Sequence, residues 1–253
     1  MAEIICIVNQ KGGVGKTTSA INLAASLALL NKRVLLVDSD PQGNATTGLG
    51  VEKNTLSQSL YHGLIGEANV EDLLLPCAEL PLLSVLPSRV ELIGFEIEMV
   101  DAPERHAALK NLLSSIVDQY DYILIDCPPS LSLLTVNAMC AANSVLIPLQ
   151  CEFYAMEGLT QLLETIKYIR NELNPQLQIL GILLTMFDKR TNLSSQVADE
   201  VREYFQTMVF DTIIPRNIRL TEAPSFGKPI VLYAAASPGA QSYLELAQNL
   251  INK

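Results

Sequence analysis

Short apolar segments alternate with longer helix-like segments along almost the whole chain. Several of the short segments are apolar at consecutive positions, as in parallel strands that are buried on both faces. Such alternation of strand and helix is typical of a parallel sheet covered by helices. The pattern predicts a single domain, residues 1–253, of the α/β class with a doubly wound, mostly parallel sheet flanked by helices. The candidate strands are IICIVN (4–9), RVLLVD (33–38), LLSVLP (82–87), YILIDC (122–127), SVLIPL (144–149), ILGILLTMF (179–187), VFDTIIP (209–215) and PIVLYA (229–234).

Longer segments between the strands have the composition of helices. The last of them is preceded by Ser237, a favourable N-cap residue, and has Pro238 in its first turn. Residues 44–80 are the least regular part of the chain, and we expect them to form an excursion at the edge of the sheet. The candidate helices span residues 16–30, 102–117, 131–141, 156–173, 193–205 and 238–251.

The composition is that of a folded protein with a generous interior, since 49% of the 253 residues are hydrophobic. The longest apolar run of interest, residues 179–187, is far short of the roughly 20 residues that cross a bilayer. The chain begins MAEIICIVNQKGG, which lacks the basic start of a signal peptide. We therefore expect a cytoplasmic protein.

Cysteine content and net charge exclude some classes of function. The five cysteines include no C-x-x-C pair, so we expect small buried residues rather than disulfides or metal ligands. The net charge of −10 argues against a surface coated in positive charge for nucleic acid. It leaves room for a local basic patch, because binding depends on the face presented.

The segment VNQKGGVGKTT, residues 8–18, lies between the first candidate strand and the first candidate helix. Glycines in such a loop let backbone N–H groups converge on phosphate oxygens, and the helix N-terminus adds partial positive charge. The segment departs from the pattern G-x-x-x-x-G-K-[ST], because Gln10 replaces the first glycine and an additional lysine, Lys11, follows it. We expect Lys16 to reach the β- and γ-phosphates of a nucleotide and the Thr17 hydroxyl to bind Mg²⁺. The predicted phosphate-binding segment comprises Gly12, Gly13, Val14, Gly15, Lys16, Thr17 and Thr18.

Acidic residues stand at the ends of two candidate strands. Asp126 ends the apolar run YILID, at the edge where open α/β sheets bind ligands, and we expect it to hold Mg²⁺ through water. Capping of the next helix is the alternative for Asp126. Asp38 and Asp40 end the run VLLVDSD, and both would face the phosphates if the strand continued. A turn acid before Pro41 is the alternative for Asp40.

Four segments make the chain similar to the ParA/Soj family of partition ATPases: KGGVGKTT, VLLVDSDPQGN, YILIDCPPS and IPRNIRLTEAPSFGKPI. The resemblance covers nearly the whole chain, and the family belongs to the deviant Walker A group of P-loop proteins. It implies an ATPase that uses ATP and Mg²⁺ and forms a homodimer when ATP is bound. It also implies that Lys11 is the signature lysine of the group, which contacts the ATP held by the partner subunit, and that Gly12 lies at the interface.

The resemblance implies roles for further residues. Asp40 positions the attacking water and reaches Mg²⁺ through water, with Asp38 as a supporting acid. Asp126 matches the Walker B acid, which also reaches Mg²⁺ through water. Pro215 and Asn217, in the segment IPRN, pack near the adenine and complete the predicted ATP-binding set. The predicted catalytic residues are Lys11, Lys16, Asp38 and Asp40.

The family's ATP-bound dimer binds double-stranded DNA without sequence preference, and a ParB-type centromere-binding protein stimulates its ATP hydrolysis. The resemblance therefore implies a cytoplasmic, nucleoid-associated protein that helps to segregate chromosomes or plasmids. A stripe of basic residues gives salt-sensitive, sequence-independent affinity for DNA. The candidate DNA contacts are Lys189, Arg190, Arg216, Arg219 and Lys228.

Three alternatives stay open. The first is MinD, a membrane-associated division-site ATPase whose C-terminal helix has basic and apolar faces. This chain ends SYLELAQNLINK, with Glu245 and a terminal Lys253, so we expect no membrane binding. The second is iron–sulfur chemistry of the nitrogenase iron protein kind, which Cys127 suggests but which lacks a suitably placed second cysteine. The third is a metabolic ATP-dependent enzyme related to dethiobiotin synthetase, which needs a small-molecule pocket.

Overall fold

The computed structural model describes residues 2–152 and 155–252, and the strands in them form one sheet. The strands are β1 (Glu3–Ile7), β2 (Val34–Asp38), β3 (Leu75–Pro76), β4 (Leu83–Leu86), β5 (Tyr122–Asp126), β6 (Ser144–Gln150) and β7 (Gln178–Thr185). Their order across the sheet is β3-β4-β2-β5-β1-β6-β7. All neighbouring strands are parallel except β3 and β4, which are antiparallel at one edge.

Helices connect the strands and cover the sheet. The last helix begins at Pro238, as predicted, and the Ser237 side chain accepts a hydrogen bond from the backbone N–H of Ala240 (3.3 Å). The α-helices are α1 (Lys16–Leu29), α2 (Asn44–Gly48), α3 (Leu60–Leu64), α4 (Val70–Leu73), α5 (Leu92–Glu98), α6 (Ala108–Leu113), α7 (Leu133–Ala141), α8 (Ala155–Glu172), α9 (Asn192–Phe205), α10 (Ile218–Glu222), α11 (Ile230–Tyr233) and α12 (Pro238–Ile251).

The sheet is buried on both faces, and adjacent residues of one strand pack into different hydrophobic clusters. In β1, Cys6 packs in a cluster with α5 to α9, whereas Ile5 and Ile7 pack in a cluster with α1, α11 and α12. Because neither face of a central strand meets solvent, consecutive positions are apolar. Helices on both faces of a mostly parallel sheet confirm the predicted doubly wound α/β fold.

The strand predicted at residues 209–215 is wrong. This segment runs beside β7 but bridges to it at two isolated points, Val209 with Ile182 and Pro215 with Phe187. The offset between partners is 27 residues at the first bridge (209 − 182) and 28 at the second (215 − 187). The register therefore changes by one residue between the two bridges, and the backbone hydrogen bonds to β7, such as Phe210 N–H to the Ile182 carbonyl (3.0 Å) and Ile214 N–H to the Leu184 carbonyl (2.9 Å), do not form a regular ladder.

Two other predicted elements also differ from the structure. Residues 229–234 contain α11, so the strand predicted there is wrong. So short an apolar run has no periodicity by which a strand can be told from a buried helix. The helix predicted at 102–117 is interrupted. Glu104, which follows Pro103, has a left-handed backbone (φ 56°), and α6 begins only at Ala108. A left-handed residue cannot continue a right-handed helix.

The irregular region forms short elements beside the sheet. Strand β3 pairs with β4 at the outer edge, where an excursion of residues 44–80 was expected. Across the described ranges, none of the helices combines the length and the apolar character needed to span a membrane. Lys253, on which part of the interpretation of the C-terminus depended, lies outside the described residues.

Candidate nucleotide-binding site

The glycine-rich loop joins β1 to α1 in a curled conformation. Gly13 and Gly15 have left-handed backbone angles (φ 77° and 90°), which residues with a Cβ atom rarely adopt. The hydroxyl of Thr185, at the end of β7, donates a hydrogen bond to the carbonyl oxygen of Val14 (2.8 Å). The loop is therefore shaped by its own glycines and tied to a distant strand.

The two lysines of the loop lie in different environments. Lys16 is buried, and its Nζ atom donates to the carbonyl oxygen of Lys11 (3.1 Å). Burial lowers the pKa of Lys16, and the nearby charge of Asp126 opposes that decrease. Lys11 is exposed, and its Nζ atom lies 2.6 Å from Oε2 of Glu152. Lys16 thus belongs to the interior of the site and Lys11 to its surface.

A cavity of about 1100 Å³ opens beside the loop, at the carboxyl ends of the strands. Ligand pockets commonly measure about 300–1,000 Å³, so this cavity is large enough for a nucleotide. Lys11, Val14, Asp38 and Asp126 are not among the described residues that line it. The residues predicted for nucleotide binding or catalysis that line it are Gly12, Gly13, Gly15, Lys16, Thr17, Thr18, Asp40, Pro215 and Asn217.

Asp126 lies behind the loop, at the end of β5. In the register of the sheet it is level with Ile7 of β1 and Asp38 of β2. It is fully buried, and neither carboxylate oxygen has a hydrogen-bond partner in the described part of the chain. Burial, followed by the charge of Asp38, holds the pKa of Asp126 well above its ordinary value. The nearby Thr17 hydroxyl opposes this increase in the pKa of Asp126, although it does not form a hydrogen bond with either carboxylate oxygen.

These residues fit Mg²⁺. A buried carboxylate without a partner is costly, and a cation held through water would supply the missing interaction. Among residues 2–152 and 155–252, no group of three or more His, Cys, Asp or Glu side chains is placed to hold a metal unaided. Mg²⁺ commonly takes one or two protein ligands and completes its shell with phosphate oxygens and water. The Thr17 hydroxyl, with Asp126 and Asp40 through water, would hold the ion, which when bound neutralises charge on the phosphates.

The expectation that both Asp38 and Asp40 face the phosphates is wrong for Asp38. Strand β2 ends at Asp38, so the alternation of a continuing strand stops there. The Asp38 carboxylate accepts hydrogen bonds from the backbone N–H and the hydroxyl of Thr46 (both 2.7 Å) and from the backbone N–H of Asp40 (3.3 Å). Burial raises the pKa of Asp38, and the hydrogen bonds from Thr46 oppose the increase. Asp40 lines the cavity, and Asp38 holds in place the loop that carries it.

Thr185, Met186 and Tyr243 are among the cavity residues that were not identified from the sequence. Met186 has a left-handed backbone (φ 49°), a strained conformation of the kind that collects at functional sites. Tyr243 is buried and forms a hydrogen bond with Ser19 of α1 (3.0 Å). Thr185 could have been found from the sequence, because it is a polar residue at the carboxyl end of a strand. Tyr243 lies on α12, far along the chain, and no local sequence signal indicates that it reaches the cavity.

Pro215 and Asn217 line the cavity through the segment that precedes α10. Asn217 is the N-cap of α10, and its Oδ1 atom accepts from the backbone N–H of Arg219 (2.9 Å). Its Nδ2 atom is buried and has no hydrogen-bond partner among the described residues. A buried amide donor of this kind suits a ligand that offers an acceptor atom. Contact with adenine stays a prediction.

The five basic residues predicted to bind DNA do not share one environment. Arg190 and Arg216 line the nucleotide cavity. Lys189 is exposed, whereas Lys228 is half-buried. Three of the five are paired with carboxylates at the surface: Arg190 with Asp188 (2.7 Å), Arg219 with Glu222 (2.8 Å) and Lys228 with Glu79 (2.9 Å).

Known proteins share sequence with this chain over almost its full length. A family model described as an AAA domain matches residues 2–179. The chain is 54% identical to the chromosome partitioning protein ParA of Myxococcus xanthus (strain DK1622), covering 100% of this chain and 89% of that relative. It is also 54% identical to the sporulation initiation inhibitor protein Soj of Bacillus subtilis (strain 168), covering 99% of this chain and 98% of that relative.

The fold is shared with solved structures. A crystal structure of cobyrinic acid a,c-diamide synthase from Mycobacterium smegmatis, with bound ADP and magnesium, superposes with a TM-score of 0.88 at 36% identity. The similarity covers 100% of this chain and 95% of that chain. The nucleotide and the metal of that structure agree with the use of ATP and Mg²⁺.

A phosphate-binding loop between strand and helix, at the carboxyl edge of a parallel sheet, defines the class of P-loop NTPases, and this chain is an ATPase of that class. Its full-length identity to ParA and Soj proteins is higher than its identity to the cobyrinic acid enzyme. The chain belongs to the ParA/Soj family of chromosome-partitioning ATPases.

Proposed function

We propose that this ATPase segregates chromosomal or plasmid DNA through a cycle of ATP-dependent dimerisation. ATP binding brings two subunits together with their loops facing each other, and the dimer binds double-stranded DNA without sequence preference. A ParB-type centromere-binding protein then stimulates hydrolysis, which releases the dimer from DNA. The protein is cytoplasmic and associates with the nucleoid while ATP is bound. The 54% identical relative named chromosome partitioning protein supports the role in partition.

The observation that carries the proposal is the position of Lys11. Its side chain is 45% exposed and pairs with Glu152 at the surface. It is not among the described residues that line the cavity of its own subunit, where Lys16 already supplies an ammonium group. A second lysine on the outer side of the same loop is therefore available to a neighbouring molecule.

Electrostatics gives this lysine a role at a dimer interface. ATP with Mg²⁺ keeps net negative charge, so two loaded sites that face each other repel. A lysine donated across the interface offsets the repulsion and stabilises charge on the γ-phosphate, as an arginine finger supplied in trans does. The pair between Lys11 and Glu152 has to break first, and exposed ion pairs contribute only about 0–1 kcal/mol.

Within one subunit the chain contributes mainly position and charge. Lys16 contacts the β- and γ-phosphates, and Thr17 and Asp126 hold Mg²⁺. Asp40 is buried at the cavity wall, and its Oδ1 atom accepts from the backbone N–H of Gln42 (2.9 Å). That contact orients the carboxylate, so Asp40 can hold the attacking water in line with the γ-phosphate.

We expect Lys11→Ala to bind ATP with the affinity of the parent but to remain monomeric with ATP and Mg²⁺. Size-exclusion chromatography with light scattering gives the mass, and titration with a fluorescent ATP analogue gives the affinity. Lys32→Ala, which removes a lysine beyond the far end of α1, is the matched control and should dimerise normally. ATP-dependent dimers of normal mass from Lys11→Ala would contradict the proposal.

The DNA step is tested by co-sedimentation with ATP, with ADP and without nucleotide, each across a salt series. We expect binding with ATP alone, weakening as salt rises because phosphate contacts release counterions. Binding to lipid vesicles in place of DNA would favour the MinD-like alternative.

Helix α12 argues against that alternative. Its apolar residues, including Tyr243 and Leu246, are buried in the cluster that also contains α1, while Gln241 and Glu245 face outward. A membrane-binding amphipathic helix needs a free apolar face.

The other two alternatives have weaker support. The identity to cobyrinic acid a,c-diamide synthase, 36%, is lower than the 54% identity to the ParA and Soj relatives. Cys127 is free and fully buried, and burial raises its pKa well above the ordinary value, whereas a cluster binds thiolate. A visible-absorbance spectrum of anaerobically purified protein tests the iron–sulfur alternative.

A further inference from the structure

A row of exposed apolar side chains runs along helix α5 and the residues that flank it. Val90, Ile93, Ile97 and Val100 are 65%, 48%, 71% and 53% exposed, and we refer to these four residues as the α5 stripe. Their spacing of 3, 4 and 3 residues brings them to one side of a helical segment. Backbone hydrogen bonds from the Ile93 N–H to the Val90 carbonyl and from the Gly94 N–H to the Glu91 carbonyl extend the helical turn back to Val90. Val100 lies two residues beyond Glu98, the last residue of α5.

The stripe is separate from the core-facing side of the same helix. Leu92 and Phe95 are fully buried and pack in the hydrophobic core. Four neighbouring apolar side chains, each about half exposed or more, form a patch on the order of a few hundred Å², a size that is often functional on soluble proteins. Spacing of 3 and 4 residues is also the seam along which one helix packs on another. The stripe therefore suits a helical occupant.

The charges around the stripe restrict what that occupant is. Residues 89–105 contain two arginines at the ends, Arg89 and Arg105, of which Arg89 pairs with Glu91 (3.0 Å). Against them stand five acidic residues: Glu91, Glu96, Glu98, Asp101 and Glu104. Two copies of the stripe placed face to face would bring these acids together, which disfavours self-association. An anionic membrane surface would be repelled in the same way. A helix with apolar residues flanked by lysines or arginines is complementary in both respects.

The stripe is also connected to the nucleotide site. The backbone N–H of Leu134, at the start of α7, donates to Oε1 of Glu96 on α5 (3.3 Å). Helix α7 follows the segment that starts at Asp126 and includes Pro129, which lines the cavity and lies against Gly12. A helix bound to the stripe would therefore act close to the phosphate-binding loop.

We propose that the α5 stripe is the docking surface for a basic amphipathic helix of the partner that stimulates ATP hydrolysis. The existence of this partner rests on the proposed function, whereas the shape and charge of the α5 stripe are observed in the structure independently of that function. Contact through Glu96 and α7 links the docked helix to the hydrolysis site.

A direct test uses a labelled helical peptide of about 14 residues, roughly four turns, with leucines at 3-4-3 spacing and lysines beside them. We expect the parent to bind this peptide in fluorescence anisotropy, and to bind poorly a control peptide in which glutamates replace the lysines. The double variant Ile93→Ser/Ile97→Ser should bind the lysine peptide at least about tenfold more weakly, as expected for loss of central apolar anchors. Leu193→Ser, at a 45% exposed residue on α9, is the matched control and should bind like the parent.

Folding is not expected to obscure the result, because substitutions of exposed residues usually change stability little, and the thermal midpoint checks this. Equal peptide binding by the parent and the double variant would overturn the proposal. Self-association of the nucleotide-free parent that the double variant loses would assign the stripe to a second copy and would also overturn it.

The second arm measures stimulation of ATP hydrolysis by the full-length ParB-type protein from the same cells. We expect stimulation of the parent and of Leu193→Ser, with at least about tenfold less stimulation of the double variant at the same partner concentration. Equal stimulation of all three overturns the assignment of the stripe to this partner. If the parent is not stimulated at all, the proposed function fails instead, and the assignment to that partner fails with it.

Discussion

The nucleotide site and the basic residues predicted to bind DNA differ in how their charges are satisfied. Lys16 and Asp126 are buried, and the Asp126 carboxylate has no hydrogen-bond partner among the described residues. Arg219 and Lys228, by contrast, already pair with carboxylates near the surface. A buried unpaired charge is expensive and indicates where a ligand completes the structure, whereas an exposed pair contributes little. One subunit is enough to identify the nucleotide site, whereas the proposed DNA surface would need two subunits to combine their exposed charges.

The largest expected effect comes from Lys16→Ala. We expect ATP affinity to fall by about 100-fold or more, because the substitution removes the buried ammonium group that is predicted to contact phosphate. Titration with a fluorescent ATP analogue measures the change. Lys11→Ala, from the same loop but outside the cavity, should keep the parent's affinity. Similar losses in both variants would erase the distinction between the two lysines.

The second effect is on turnover. Asp40→Ala should reduce ATP hydrolysis on the order of 100-fold while ATP binding is kept, since in the proposed mechanism the carboxylate positions water rather than phosphate. The ATP dimer should then accumulate on DNA, as measured by co-sedimentation. Normal turnover would remove Asp40 from the mechanism.

Asp38→Asn provides the contrast to that variant. Asp38 accepts two hydrogen bonds from Thr46, so its substitution should mainly lower the free energy of unfolding, by about 1–3 kcal/mol. Chemical denaturation measures this change. A loss of turnover in Asp38→Asn as large as that in Asp40→Ala, without loss of stability, would place Asp38 in the chemistry.

The smallest effects are expected at the paired surface charges. Arg219→Ala should dimerise normally with ATP but bind DNA more weakly, and the slope of log affinity against log salt should decrease by about 1 for each phosphate that the protein no longer neutralises. Glu222→Gln releases Arg219 from its pair and should strengthen DNA binding by about two- to fivefold. Normal DNA binding by Arg219→Ala at physiological salt would show that this residue does not touch DNA.

The fold was more predictable at the centre of the sheet than at its edges. Strands β1 and β5 are covered on both faces, so burial demands an apolar residue at consecutive positions and the pattern is visible in the sequence. Strand β3 has two residues, too few for any pattern. Residues 229–234 are as apolar as a strand, yet their helix is anchored by a hydrogen bond from the Ile230 backbone N–H to Oδ1 of Asn22 (2.6 Å), 208 residues away in the chain.

The phosphate-binding loop and the family could be read from the amino-acid sequence, because residues 8–18 obtain their conformation from glycines and a helix start that are neighbours in the chain. The fold alone reveals that Lys11 meets Glu152, 141 residues away, and lies outside its own cavity. It also reveals that the Asp38 carboxylate accepts hydrogen bonds from Thr46, whereas Asp40 lines the cavity. Such contacts depend on where folding brings separate segments together, and side-chain chemistry alone does not specify which partner each group finds.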